Sequence, residues 1–219
     1  MPIKTVPAHR TAPKPWVPLA ALGLVLLVAG CGRLLPSQHQ TIEIAALPAG
    51  QFALDPAHTA ILWKVDHFGF ATYVGRFNEM SGSLDFDPDN PEAASLTVQV
   101  RTASVDTGDP DFDAELAGSG WLRSGEFPTA QFTSQSISIT GEATGIASGT
   151  LTLAGQTHPA DLEITFNGGA NNIVTGQYTL GFAASMQIAR SQFGITNLVP
   201  AIGDAVTLEI HSEFVRQDG

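Results

Sequence analysis

Thr59–His67 reads TAILWKVDH: Ile61, Trp63, Val65 and His67 fall on one face of an extended chain, Lys64 and Asp66 on the other. A period of two with one apolar and one polar side describes an antiparallel strand that is wet on one face and dry on the other. The same alternation recurs along the chain. Leu96, Val98 and Val100 alternate with Thr97, Gln99 and Arg101; Leu151 and Leu153 with Thr150 and Thr152; Leu162, Ile164 and Phe166 with Glu163 and Thr165. Tyr178, Leu180 and Phe182 repeat it, as do Val206, Leu208, Ile210 and Phe214 against Thr207, Glu209 and Glu213. Asp87-Pro88-Asp89-Asn90-Pro91, Thr140-Gly141, Asn167-Gly168-Gly169 and Ile202-Gly203-Asp204 supply turn chemistry between the runs. Phe77 and then Met80, Leu84 and Phe86 change parity, which predicts a bulge near Asn78–Ser81. The one helical stretch is Asp109–Leu116, with an Asp cap, Pro in the first turn and acids near its N-terminus. About eight such strands cover their dry faces by closing into a small antiparallel barrel that can hold one ligand; a two-sheet sandwich is the other arrangement.

The N-terminal stretch is of a different kind. Lys4, Arg10 and Lys14 precede an apolar run from Trp16 to Val28, and no acid occurs before Cys31. That layout is a secretory signal peptide rather than part of the fold. The run falls short of the ~20 residues that a spanning helix needs, which argues against an uncleaved membrane anchor. Val28-Ala29-Gly30-Cys31 resembles a bacterial lipobox, after which the cysteine is thioether-linked to diacylglycerol; the other reading is a plain signal peptide with an incidental Cys. The expected organisation is a signal peptide over 1–30, a lipidated N-terminus and tether over 31–50 with a short ordered piece at Ile42–Leu47, and a barrel domain over 51–216. Gly32 rather than Asp follows the cysteine, favouring the outer over the inner membrane of a bacterial envelope. Cleavage after Gly30 leaves seven basic against 21 acidic residues, net −14, a poor match by charge for nucleic acid or anionic lipid. Cys31 is the only cysteine, so no disulfide can form within the chain and stability rests on burial.

No G-x-S-x-G, P-loop or H-E-x-x-H occurs. His39, His58, His67, His158 and His211 are scattered, so a metal site would have to be assembled by the fold. Asp85-Asp87-Asp89 and Asp109-Asp111-Asp113 begin like calcium loops but lack the glycine and the later Glu. Two cations and donors remain open in role. His67 is either a satisfied core residue or a donor to a ligand head group. Arg190 either forms a strand-end salt bridge with an acid such as Asp106 or Asp204, or closes a pocket mouth and binds phosphate or carboxylate through its fork of donors.

Five blocks in order resemble one family: LDPAHTAILWKVDHFGF, VGRFNEMSGSLDFDPDNPEAASLTVQV, EFPTAQFTS, SGTLTLAGQTHPADLEITF and ARSQFGI. This is the YceI-like family, also described as polyisoprenoid-binding periplasmic proteins, and the resemblance spans roughly Phe52 to Phe214. It implies an eight-stranded antiparallel lipocalin-like barrel around a long apolar cavity, with the short helix near the mouth. It also implies a binding protein for polyprenyl chains, isoprenoid quinones or fatty-acid derivatives rather than an enzyme. His58 and His67 match the family's early histidines, Gly75 and Phe77 its G-x-F, and Arg190, Phe193 and Gly194 its R-x-x-F-G. The segment Asp113–Leu122 departs from the family's pattern, with Glu115 where His is usual.

The expected ligand-binding set is therefore Ile61, Trp63, Val65, Phe77, Leu96, Val98, Leu151, Leu153, Phe166, Tyr178, Phe182, Met186 and Phe193 on the interior, with His67 and Arg190 orienting a head group. No cofactor, metal or catalytic residue is expected. The expected partners are a long-chain isoprenoid or fatty-acyl ligand and the membrane through Cys31, not nucleic acid; a homodimer is compatible. The alternative is the same barrel with a filled core, acting as a structural or interaction module in the envelope or a stress response.

Overall fold

The computed structural model describes residues 38–217; the signal peptide expected over 1–30 and the lipidation expected at Cys31 lie outside them. Eleven strand segments follow in order: β1 (Gly50–Leu54), β2 (Ala60–His67), β3 (Ala71–Phe77), β4 (Met80–Phe86), β5 (Ser95–Arg101), β6 (Val105–Asp106), β7 (Thr129–Ile139), β8 (Thr144–Leu153), β9 (Gln156–Asn171), β10 (Tyr178–Ala189) and β11 (Ile202–Arg216). A single α-helix among the described residues, α1 (Pro110–Ala117), stands between β6 and β7.

Every pairing is antiparallel, and the sheet order β1-β4-β5-β7-β8-β9-β10-β11 returns to β1 through Phe52↔Arg216, Ala53↔Val215 and Leu54↔Phe214. The hairpin β2–β3, edged by β6, continues the same wall from the other stretch of β11. The molecule is thus the closed eight-stranded antiparallel barrel that the alternation predicts, with its first three runs each interrupted once: β1/β2, β3/β4 and β5/β6.

Local chemistry explains each interruption. At Asp55 the side chain accepts the Ala57 N–H and starts a short 3-10 turn over Pro56–His58, where proline is tolerated at the first position. At Asn78–Glu79 the parity switches as the sequence predicts. The Ser104 hydroxyl accepts from the Asn78 and Glu79 amides, and Arg76 and Asn78 both donate to the Asp106 carboxylate. The breaks in the second and third runs therefore lie side by side and satisfy one another. Asp109 caps α1 by accepting from Asp111 and Phe112, as expected from its sequence.

Residues 38–49 are not a free tether. Thr41 pairs with Gly169 in both directions, and a 3-10 turn over Ile44–Ala46 delivers Leu47 into the core. A side chain at Gly168 would strike Gln40 and Thr41, and one at Gly169 would strike Leu47, Leu180 and Tyr178. Asn167-Gly168-Gly169 is therefore a close-approach site inside a 16-residue strand, not a turn between strands, because the absent Cβ atoms make room for the N-terminal segment.

Candidate functional site

The inward faces of the eight runs enclose a cavity of about 330 Å³ whose wall is almost wholly apolar. At one end Leu116 of α1, Trp121, Ile195 and Ile202 close it, and all four are buried. At the other end wall residues become exposed: Ile139 at the end of β7, then Gly141 and Glu142 in the β7–β8 turn. The helix therefore lies across the closed end and not near the mouth, where it was expected: α1 follows β6 at the end that Leu116 and Trp121 plug, and the opening is at the opposite end, beside Ile44 and Leu47.

Of the residues expected at the site, Ile61, Trp63, Val65, Phe77, Leu96, Val98, Leu151, Leu153, Phe166, Phe182, Met186 and Arg190 stand in the cavity wall. Phe166 and Phe182 sit on neighbouring strands with ring centroids 5.2 Å apart, and Phe182 meets Phe214 edge-on. Three expected residues are elsewhere. His67 keeps the parity of Trp63 but is the last residue of β2, beyond the cavity, where it packs on Phe68 and Tyr73. Tyr178 shares the inward face of β10, yet Leu47 meets it over Gly169 and supplies the wall in its place. Phe193 is 1% exposed within the β10–β11 connection, its ring edge-on to His158.

Arg190 takes neither role foreseen for it. It is 4% exposed, and its guanidinium donates to the carbonyls of Gly203, Ile195, Asn197 and Ile202 at 2.8–3.0 Å. Four of five N–H groups are thus spent on backbone, and the cation lies over the Trp121 ring. Burial lowers its pKa, which nearby Asp204 partly opposes. Asp204 itself takes the amide and hydroxyl of Ser191, and those hydrogen bonds hold its carboxyl below the usual range. Arg190 is a staple for residues 190–203.

Two further features were not legible in the sequence. The buried Trp63 indole N–H has no hydrogen-bond partner among the described residues. Asp55, His58 and Glu213 each offer one metal-ligand atom within 4.8 Å of the others, although none of them lines the cavity. Nδ1 of His58 stands 2.8 Å from Asp55, and that hydrogen bond is the leading cause both of the raised His58 pKa and of the lowered Asp55 pKa.

A family model described as the YceI-like domain matches residues 52–214. A UPF0312 protein of Shewanella oneidensis is 33% identical over 174 residues, covering 78% of this chain and 91% of its own. Burkholderia cenocepacia BcnA superposes with a TM-score of 0.67 at 22% identity, over 73% of this chain and 98% of its own. A polyisoprenoid binding domain from Saccharophagus degradans, implicated in plant cell wall breakdown, superposes with a TM-score of 0.58 at 12% identity, over 78% of this chain and 100% of its own.

Proposed function

The chain belongs to the YceI-like family, and from that premise we propose that its barrel holds a long-chain apolar ligand: a polyisoprenoid, an isoprenoid quinone or a fatty-acid derivative. The observation that carries this reading is the cavity itself. Its ~330 Å³ falls within the ~300–1,000 Å³ typical of small-molecule sites. At ~25 cal/mol per Å² of buried apolar area, a chain of a dozen methylenes gains several kcal/mol in such a wall without any polar contact. The same space counts against a filled-core structural module, whose packing would leave few voids larger than a water molecule. The Saccharophagus degradans neighbour is a polyisoprenoid binding domain, which supports the same class of ligand.

The polar demand on the ligand is small. With Arg190 spent on backbone and His67 outside the cavity, the unpaired Trp63 indole N–H is the donor that a carbonyl or hydroxyl oxygen would satisfy. No reaction is assigned; the barrel stores, carries or sequesters its ligand. Cys31 carries the diacylglycerol anchor, which puts the domain at the periplasmic face of a bacterial membrane, the outer one by the residue that follows it.

Native mass spectrometry of the protein purified from membranes and stripped of detergent tests the binding reading. A co-purifying mass that organic extraction identifies as an isoprenoid or acyl lipid is the expected result. An empty barrel that also leaves tryptophan emission unchanged across added quinones and fatty acids of graded length would overturn it.

A further inference from the structure

We propose that the barrel end bearing the β9–β10 turn docks on a zwitterionic phospholipid bilayer, with Ile173 and Val174 entering it. This rests on the reading of Cys31 as acylated, which fixes where the bilayer is. Val174 is 83% exposed and Ile173 48%, at the tip of the β9–β10 hairpin, and Ile42 stands exposed on the segment beside it. Between Glu163 and Arg190 the sequence contains no charged residue, in a chain otherwise rich in acid. Pressing this hairpin against headgroups therefore desolvates no ion, whereas each buried apolar side chain gains free energy.

The path of the chain points to the same end. Gln38 donates to the Asn171 carbonyl at 3.1 Å and accepts from the Ile173 amide at 3.3 Å, so the N-terminal segment enters the barrel at this turn. Gln38 follows Cys31 by seven residues, which span at most about 25 Å when fully extended. The tether thus starts from the barrel at Gln38, beside the apolar tip, and reaches at most that far. The exposed wall of the cavity is on the same end, so a lipid would leave or enter the barrel on the side that faces the bilayer. Asp87, Asp89 and Glu92, also at this end, oppose an anionic surface, which is why the partner is a zwitterionic one. Phe70 is 90% exposed at the opposite end, but the chain from Cys31 does not arrive there.

The test adds one tryptophan to the full protein, Val174→Trp in one variant and Phe70→Trp in another, and reads emission with phosphatidylcholine vesicles carrying doxyl-labelled acyl chains. Docking predicts a blue shift and quenching of the added emission for Val174→Trp and neither for Phe70→Trp. It also predicts that Ile173→Asp/Val174→Asp weakens vesicle partitioning of protein added from solution about tenfold or more. An unquenched Val174→Trp, a quenched Phe70→Trp alone, or a dimer that the double Asp variant converts to monomer would overturn the proposal. The intact mass separates the two readings. An acylated protein with unquenched Val174→Trp removes the docking and leaves the anchor. An unacylated protein removes the anchor, and quenching at Val174→Trp by added vesicles still upholds the docking.

Discussion

Trp63 lies across Gly75, its directly opposed partner on the neighbouring strand. A Cβ built on Gly75 would stand 2.5 Å from Trp63 Cε2 and closer still to Cζ2. Tyr73 then stacks on the same indole at 5.8 Å and meets Phe112 of α1 edge-on, so one glycine seats an aromatic column that joins the barrel wall to the helix.

Gly75→Ala is expected to expel the indole and cost about 1–3 kcal/mol, the usual range for overpacking. Urea unfolding followed by tryptophan emission reads both effects. The double variant Gly75→Ala/Trp63→Leu should cost less than the sum of the two single changes, since removing the ring removes the clash. Additive losses would mean that the two residues do not share this contact.

Arg190→Ala leaves four carbonyls without their charged donor and should destabilise the domain by about 3 kcal/mol or more. Arg190→Lys should recover little of that, because an ammonium cannot reproduce the planar fork. Hydrogen exchange would show the damage localised to residues 190–203. A variant that exchanges normally there but loses bound ligand would return Arg190 to the head-group role.

The pairing of His58 with Asp55 sets a pH dependence of definite sign. The His58 pKa is raised above 6.5, first by the Asp55 hydrogen bond and then by the charges of Asp55 and Glu213. Its stabilising contribution is complete below 6.5 and is lost as pH rises through the higher folded value. The Asp55 pKa is lowered from 3.8, so its contribution is present above 3.8 and is lost as pH falls through the folded value. NMR titration should find the His58 pKa above 6.5 in the parent and lower in Asp55→Asn; an unchanged value would remove the pair as the cause.

Ala184 lines the cavity beside Phe182 on β10, and Ala184→Phe would fill space rather than create it. The expected outcome is at least about tenfold weaker ligand retention with the melting temperature held or raised, since the ring takes apolar area from the ligand and packs a void. Retention unchanged alongside a filled cavity would place the ligand elsewhere.

The strands and their inward sides were legible because side-chain parity is a local property: Ile61, Val65, Leu151, Phe166 and Phe182 needed nothing but their own neighbours to be read. Position along the barrel axis is a different quantity. His67 and Tyr178 have the inward parity yet fall past the ends of the cavity, and only the length of the whole wall decides that. Arg190 was opaque for another reason. Its partners are backbone carbonyls, which every residue carries, so no side-chain pattern could announce them. Gly168 and Gly169 read as a turn because glycine signals both a bend and a close approach, and the segment that approaches lies more than a hundred residues earlier.

The seam between β1 and β11 has a temporal consequence. Leu54 and Phe214 are partners about 160 residues apart, so the ring cannot shut until nearly the whole domain has been made, and the loop that shuts it is close to the longest the chain allows. Until then β1 and β11 each present a bare edge of amides and carbonyls to any strand that passes. The first strand therefore waits for the last, and the barrel acquires its seam in one late step rather than strand by strand.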